Sequence, residues 1–263
     1  MAEPRTERYD RIGAGYLRQR QPDPRIAKAI HDSLGDLDSL VNVGAGAGSY
    51  EPQDRFVVAV EPSITMIRQR PPGSAPAIRA RAEALPFPDG SFDAALAVLT
   101  IHHWADWRAG LLELRRVSRE RLVIFTWDPL ADTSWLNDYF GHLISEDRKR
   151  FPSLMDLRSV LGEVNINAVP IPEDCIDGFM GAYWRQLWQY LDSDVRAAIS
   201  SFASVESQMA LARLEADLKS GTWSRKYEGK LPHEELDLGY RLVTAINRPT
   251  NDCGRRASHA AES

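Results

Sequence analysis

The feature that most constrains the fold of this chain is a glycine-rich turn between two short apolar runs, within residues 41–61. The first run covers residues 40–43, and three glycines then follow at alternate positions, beginning at Gly44. Glycine allows a close backbone approach to a ligand, because it has no Cβ atom and adopts positive φ without strain. The second run, residues 56–60, is continuous and rich in valine, which is typical of a parallel strand buried on both faces. The pattern predicts a strand, a ligand-binding turn and a second strand.

An acid, Glu61, ends the second run. In a doubly wound fold such an acid faces the ligand crevice and can accept hydrogen bonds from ribose hydroxyls. The glycine spacing differs from the dinucleotide fingerprint G-x-G-x-x-G/A, since Ser49 stands where that pattern needs its third small residue. Glu51 follows, and its charge would repel a diphosphate. We interpret the stretch as a site for a nucleoside-containing ligand, and the alternative is a turn that binds no ligand.

Two motifs resemble those of a known family. The turn resembles the acid-x-G-x-G-x-G motif of the class I S-adenosylmethionine-dependent methyltransferases, although Asn42 replaces the usual acid. An Asn can accept a hydrogen bond but brings no charge to the ammonium group of the cofactor. Residues 82–93, AEALPFPDGSFD, closely match a run of the ubiquinone/menaquinone-type small-molecule methyltransferases. The resemblance covers about residues 9–130 and implies S-adenosyl-L-methionine as the cofactor.

The resemblance and the order of the predicted elements indicate an α/β fold. We expect a doubly wound, mostly parallel, Rossmann-like sheet of seven strands, with helical additions that cover the active site. Residues 1–34 would form an N-terminal lid segment, and residues 35–248 the methyltransferase domain. Helical insertions are expected around 135–161 and 178–230, and a disordered tail at 249–263. Apolar spacing beyond residue 130 predicts helices at 135–144, 154–161, 178–191 and 195–218, and strands at 166–171 and 237–246.

The resemblance also implies which residues bind the cofactor. Tyr16 and Arg20 of the lid would meet the methionine end, Arg20 by pairing with the carboxylate; a surface tyrosine and a solvated arginine are the alternative. Arg81 replaces an Asp that usually contacts the adenine amino group, so that contact is lost or moves to Glu83. The expected cofactor-binding residues are Tyr16, Arg20, Asn42, Gly44, Ala45, Gly46, Glu61, Pro62, Ala82, Glu83 and Leu99.

The candidate catalytic residues follow the predicted fourth and fifth strands, whose carboxyl ends lie beside the ligand in open α/β sheets. His102 and His103 are candidate bases, because imidazole titrates near neutral pH. Adjacent side chains point in different directions, and the resemblance suggests that His103 faces the methyl group; the alternative is a structural pair. Asp128 would orient a histidine or bind a substrate amine or hydroxyl, or would instead cap the next element. Trp104 and Trp127 would line the substrate pocket, unless they only fill the core.

Composition excludes several other classes of partner. The net charge of the 263 residues is −5, which argues against a nucleic-acid partner. We interpret short basic clusters, such as Arg115-Arg116, as solvated helix faces. No apolar run reaches ~18 residues, so we expect no membrane span. Cys175 and Cys253 have no companions at metal-ligand spacing, which predicts a cytoplasmic protein without structural zinc.

The sequence thus predicts S-adenosylmethionine-dependent methyl transfer to a small-molecule acceptor, without a metal ion and with a histidine near the methyl group. One alternative is a non-catalytic S-adenosylmethionine-binding protein, which Asn42 and Arg81 would suit. Another is a nicotinamide-dependent oxidoreductase, which Ser49 argues against. The sequence leaves open whether oxygen, nitrogen or carbon is methylated, and whether the chain forms a homodimer.

Overall fold

The computed structural model describes residues 16–202 and 208–247, and for Tyr16, Leu17 and Ser134 it describes the backbone alone. Seven strands form the main sheet: β1 (Ser39–Val43), β2 (Phe56–Val60), β3 (Ala77–Ile78), β4 (Phe92–Val98), β5 (Ser118–Trp127), β6 (Val164–Ala168) and β9 (Tyr240–Ile246). Two short strands form a separate antiparallel pair: β7 (Ile171–Pro172) and β8 (Glu235–Leu236).

The strand order of the main sheet is β3-β2-β1-β4-β5-β9-β6. The strands from β3 to β5 are parallel, whereas β9 runs antiparallel to β5 and β6. The direction in which successive strands are added reverses between β1 and β4, and a ligand crevice is expected at the carboxyl ends there. The predicted fold class, a doubly wound and mostly parallel seven-stranded sheet, is confirmed.

Helices cover both faces of this sheet. The helices within the described residues are α1 (Tyr16–Gln19), α2 (Pro24–Leu34), α3 (Ile64–Arg68), α4 (Trp107–Val117), α5 (Ser134–Arg150), α6 (Leu154–Leu161), α7 (Ser193–Ala197), α8 (Gln208–Lys219) and α9 (Thr222–Lys226). Among the described residues, 3-10 turns are also formed by Ile101–His103, Leu187–Leu191 and Glu228–Lys230.

Alternate residues of each central strand enter different apolar clusters, as the two-residue period of a strand requires. Leu40 and Leu96 pack in one cluster with α2 and with α5, whereas Val41 and Ala95 pack in the other with α4 and α6. Burial on both faces explains why β1 and β2 are continuous apolar runs in the sequence.

The second insertion departs from its predicted form. The helix predicted over 178–191 is wrong, because the chain makes turns there and only Leu187–Leu191 is helical, as a 3-10 turn. Gly181 has a φ of +86°, and a Cβ on Gly178 would lie 2.6 Å from the carbonyl oxygen of Gln19. Both glycines therefore serve a turn that lies against the N-terminal segment, and a regular helix would not allow this.

Smaller differences occur elsewhere. The strand predicted at 166–171 is β6 followed by β7, which belong to different sheets. The final strand begins at Tyr240, after Gly239 with a φ of +88°. Residues 1–15 of the predicted lid, and the predicted tail at 249–263, lie outside the described residues. In the described part of the chain, no helix combines the length and apolarity needed to cross a bilayer.

Candidate active site

A cavity of about 480 Å³ lies at the carboxyl ends of the strands, where the strand order reverses. This volume is within the range of small-ligand pockets, roughly 300–1,000 Å³. We call one side the loop wall; it consists of the lining residues within 42–50, 61–66, 81–83 and 98–100. We call the other side the aromatic wall; it consists of the lining residues at 127, 136–151, 179–180, 199–201 and 238–240.

The glycine-rich turn after β1 forms the floor of the loop wall. The backbone N–H groups of Gly44 and Ala45 donate to the carbonyl oxygen of Val60, at 2.8 and 3.1 Å, which holds the turn against β2. Gly44 has a φ of +71°, and a Cβ there would lie 2.0 Å from Oγ1 of Thr100. Gly46 also has positive φ, but the nearest atom to its Cβ would be Cε of Met66, at 3.4 Å. Packing within the chain therefore requires glycine at residue 44, whereas Gly46 leaves space open beside the cavity.

Glu61 lies at the end of β2, as predicted, and lines the cavity. The side chain is buried, and its two oxygens accept hydrogen bonds from the N–H groups of Gly46 and Ser63, each at 2.9 Å. A carboxylate offers about four acceptor positions, so it can hold the turn and also bind a ligand hydroxyl. Pro62 and the buried Ala82 line the same wall.

Asn42 is buried beneath the turn, with 1% of its surface exposed, and it lines the cavity. Its Nδ2 donates to Oε1 of Glu51 at 3.0 Å, whereas its Oδ1 has no hydrogen-bond partner among the described residues. Oε2 of Glu51 is 2.6 Å from the guanidinium group of Arg70. The position that usually carries an acid in this motif thus carries a buried amide whose oxygen is unsatisfied.

A loop at 81–89 completes the loop wall, and α4 holds it in place. Arg116 donates to the carbonyl oxygens of Leu85 and Phe87, at 3.1 and 2.7 Å. Glu113 accepts from the N–H of Leu85, and the hydrogen bonds from Arg116 hold the pKa of Glu113 below its usual value. The interpretation of Arg115-Arg116 as a solvated face is therefore wrong for Arg116. Glu83 lines the cavity and accepts from the N–H of Asp106 at 3.1 Å.

The two histidines lie in the 3-10 turn that follows β4, and both line the cavity. His102 is buried, and its ring stacks on that of Phe151 with a centroid distance of 3.8 Å and an interplanar angle of 18°. The ring of His103 is also 3.8 Å from that of His102, and His103 is the more exposed of the pair. Leu99, just before this turn, has a φ of +47° and also lines the cavity.

The two tryptophans and Asp128 occupy different places. Trp104 and Trp127 line the cavity and are both buried, and their role in binding the substrate stays a prediction. Asp128 is not among the lining residues; its Oδ1 accepts from the N–H of Leu130 at 3.0 Å. The expectation that Asp128 orients a histidine or binds a substrate is therefore corrected, because its carboxylate stabilises a turn.

Arg20 lines the cavity, but its ion-pair partner belongs to the chain. Its Nε is 2.6 Å from Oδ1 of Asp177, and the hydroxyl of Tyr50 donates to Oδ2 of the same carboxylate at 2.7 Å. The alternative of a solvated arginine is therefore wrong, whereas pairing of Arg20 with the carboxylate of the cofactor stays a prediction. Burial, together with the charge of Asp177, holds the pKa of Tyr50 well above its usual value, so the hydroxyl stays protonated. The side chain of Tyr16 lies outside the described part of the structure.

Sequence reasoning missed the polar group of the aromatic wall, Asp147 and Ser201. Asp147 is buried near the end of α5, where it pairs with Arg150 and accepts from Oγ of Ser201 at 2.5 Å. Both residues line the cavity among aromatic side chains. The spacing Asp147-x-x-Arg150 indicates a helical ion pair, but the sequence carries no signal that the pair faces a cavity.

Comparisons with known proteins identify the family. The sequence profile described as "Methyltransferase domain" matches residues 41–124. A candidate methyltransferase from an antibiotic biosynthesis pathway of Anabaena variabilis ATCC 29413 is 36% identical, with a TM-score of 0.81, and the match covers 87% of this chain and 99% of that one. The chain is a class I S-adenosylmethionine-dependent methyltransferase. A search of curated proteins finds no match.

Two further structures share the fold of this methyltransferase. An S-adenosylmethionine-dependent methyltransferase of Thermotoga maritima is 16% identical, with a TM-score of 0.52, and the match covers 92% of this chain and 94% of that one. Phosphoethanolamine N-methyltransferase 2 of Haemonchus contortus, in complex with S-adenosyl-L-methionine, is 14% identical, with a TM-score of 0.58. That match covers 94% of this chain and 61% of the other.

This methyltransferase is an enzyme, and its cofactor is S-adenosylmethionine. The two alternatives, a non-catalytic binding protein and a nicotinamide-dependent oxidoreductase, are thereby set aside. The chain offers groups that suit the cofactor: a turn with space beside Gly46, the buried carboxylate of Glu61, and the unsatisfied oxygen of Asn42.

Proposed function

We propose that this enzyme methylates a small, largely apolar acceptor without a metal ion, with His103 as the general base. The observation that carries the proposal is that one cavity joins the loop wall to the aromatic wall, with both histidines in its lining. The match of residues 82–93 supports placing the enzyme in the ubiquinone/menaquinone-type group.

The loop wall would hold the cofactor, which supplies a methyl group on a sulfonium. Glu61 would accept hydrogen bonds from the ribose hydroxyls, while it keeps the turn in place through Gly46. Backbone groups at Ala82 and Glu83 would bind the adenine ring, in a loop that Arg116 holds against α4. Pro62 and Leu99 would pack against the nucleoside. These contacts position the cofactor, and positioning is a large part of catalysis in a displacement reaction.

His103 is the better candidate for the base, because both histidines line the cavity and His103 has the larger exposed surface. The ring of His102 lies between the rings of His103 and Phe151, and its contact with His103 would orient the ring of His103. A metal ion would need several acidic ligands, whereas the turn after β4 offers His-His-Trp. A positioned histidine that removes a proton from the acceptor contributes typically 10²–10⁴ in rate.

The aromatic wall would bind the acceptor. The rings of Trp127 and Phe151 meet edge to face at 5.4 Å, and Phe179 and Tyr240 meet at 4.6 Å. Asp147 and Ser201 are a polar spot in this apolar surface. An acceptor with an apolar body and a hydroxyl or amine that donates to Asp147 would suit both features.

Single-turnover methyl transfer tests the base. A panel of small phenols, amines and apolar hydroxy compounds is first screened with radiolabelled S-adenosylmethionine. For the best acceptor, His103→Ala should lower the transfer rate by ~10²–10⁴. His102→Ala should lower the melting temperature, and it should lower the transfer rate less than His103→Ala does. His142→Ala, at an exposed position of α5, is the matched control.

Cofactor affinity, measured by calorimetry, should stay within about twofold in all three variants, because none of these residues belongs to the loop wall. Wild-type transfer rates in both His103→Ala and His102→Ala would show that the pair is structural and that positioning alone drives the reaction.

A further inference from the structure

Beneath the glycine-rich turn, three buried side chains form a row that ends at the cavity. Arg70 is 2.6 Å from Glu51, and Glu51 accepts from Asn42 at 3.0 Å. The side chains of Arg70 and Glu51 are 5% and 1% exposed. Of the three residues, Asn42 alone lines the cavity. The row therefore runs from the interior of the protein to the ligand site.

The chemistry of the row fixes which atom of Asn42 faces the ligand. A guanidinium only donates hydrogen bonds and an ionised carboxylate only accepts them. Glu51, paired with Arg70, must therefore accept a hydrogen bond from the amide nitrogen of Asn42. The amide oxygen of Asn42 consequently points away from Glu51. That oxygen is buried and has no partner among the described residues. A buried acceptor without a partner raises the free energy of the folded protein, so we expect a donor of the ligand to form a hydrogen bond with this oxygen.

We propose that Glu51 and Arg70 are positioning residues that keep Asn42 oriented as a hydrogen-bond acceptor for the α-ammonium group of bound S-adenosylmethionine. The other donors of the cofactor are its ribose hydroxyls and adenine amino group, which we assign to Glu61 and to residues 82–83. The family usually has a carboxylate at the position of Asn42. Here Asn42 offers an uncharged oxygen, and a carboxylate, that of Glu51, lies behind it in the row. Arg70 balances the charge of that carboxylate.

The variant Glu51→Gln tests the orientation directly. The carbonyl of the new side chain should face Arg70, so its amide nitrogen should face Asn42. Asn42 must then rotate and present Nδ2 to the cavity, where it would meet the donors of an ammonium group. We expect calorimetry on the full chain to show S-adenosylhomocysteine bound about tenfold more weakly or worse. The affinity for 5′-methylthioadenosine, which has no amino-acid end, should change by less than about twofold.

A second substitution should reverse this loss. In Glu51→Gln combined with Asn42→Asp, the aspartate accepts from the glutamine and still offers an oxygen to the cavity. S-adenosylhomocysteine should then bind within about threefold of wild type. Asn42→Ala removes the acceptor without changing the ion pair, and it should show the same ligand-selective loss if Glu51→Gln fails to fold.

Several outcomes would overturn the proposal. Equal weakening of both ligands by Glu51→Gln would mean that the row only supports the turn. No weakening of S-adenosylhomocysteine by Asn42→Ala would mean that its oxygen has no role in binding. Loss of selectivity that the double variant does not restore would contradict the orientation argument. Binding of 5′-methylthioadenosine tests the nucleoside site alone. An error in the role of Asn42 can therefore be distinguished from an error in the assignment of the nucleoside site.

Discussion

The two walls of the cavity are built in different ways. The loop wall uses turns between neighbouring strand ends, and its residues come from one stretch of the chain, 42–100. Its hydrogen bonds are largely between backbone groups and a few buried acids, such as Glu61. The aromatic wall draws side chains from separate elements between residues 127 and 240. Its main contacts are between rings, such as Trp127 with Phe151.

This difference separates two requirements of the enzyme. A cofactor common to the whole family can be bound by backbone groups, whose positions follow from the sheet. An acceptor that differs between enzymes needs side chains, which can be exchanged without changing the sheet. We therefore expect backbone changes in the loop wall to abolish cofactor binding, and side-chain changes in the aromatic wall to alter the choice of acceptor.

The largest effect is expected from Gly46→Val. A side chain at this position would occupy space beside the cavity, so S-adenosylmethionine should bind at least ~100-fold more weakly in a protein that remains folded by circular dichroism. Gly73→Val is the matched control, because Gly73 also has positive φ but a Cβ there meets no atom within 4 Å. Equal affinity of the two variants, by calorimetry, would mean that the turn does not approach the cofactor.

Glu61→Ala should weaken cofactor binding by about 1.5–3 kcal/mol, the range for a hydrogen bond to a charged group. Part of this loss would come from the turn, since the N–H groups of Gly46 and Ser63 would lose their acceptor. Asp128→Ala, at a strand end but outside the cavity, should leave the dissociation constant unchanged. A larger loss in Asp128→Ala than in Glu61→Ala would reverse the assignment of the two acids.

Phe151→Leu tests the aromatic wall. The substitution removes the ring that stacks on His102 and meets Trp127, so the KM for the acceptor should rise by about fivefold to tenfold. The affinity for S-adenosylhomocysteine should stay within about twofold, because Phe151 lies in the aromatic wall. A matching loss of cofactor affinity would show that the two walls do not act separately.

A further effect, on stability and not on binding, concerns Cys175, whose Sγ lies 3.8 Å from the carbonyl oxygen of Asp177. Burial raises the pKa of this thiol from 9.0 to about 12. The unfolded thiol ionises above pH 9 but the folded one does not, so stability is lost as the pH rises from 9 towards 12. By pH 10 the loss should be about 1–2 kcal/mol. Urea unfolding at pH 8 and pH 10 should show a smaller decrease for Cys175→Ala than for wild type.

The position of the loop wall could be predicted from the sequence because the patterns that define it are local. Gly44, Gly46 and Glu61 directly follow the strands that place them, so recognising the strands was enough to locate the residues. The helix over 178–191 failed for the opposite reason. Its turns depend on contact with Gln19, which is far away in the sequence.

Two arginines illustrate the same limit. Nothing in the sequence indicated that Asp177 would hold Arg20, or that Arg116 would hold the loop at 81–89. The spacing of Asp147 and Arg150 indicates an ion pair but not its position, because the exposure of Asp147 to the cavity depends on the course of α5, which has non-helical angles at Phe140. Local sequence patterns specify strand ends and turns, but not which buried charges will meet.

Two residues beside the cavity, Tyr50 and Leu99, hold left-handed backbone angles, with φ of +64° and +47°. Each costs on the order of 1 kcal/mol relative to glycine, a substantial amount for a protein of ordinary stability. Glycine at either position would relieve this strain but would also remove a side chain that packs against the core. The ring of Tyr50 is buried against Phe125, and the loss of a buried aromatic side chain costs about 3–5 kcal/mol, more than the strain it would relieve. Attempts to evolve a more robust enzyme should therefore find their improvements at other positions.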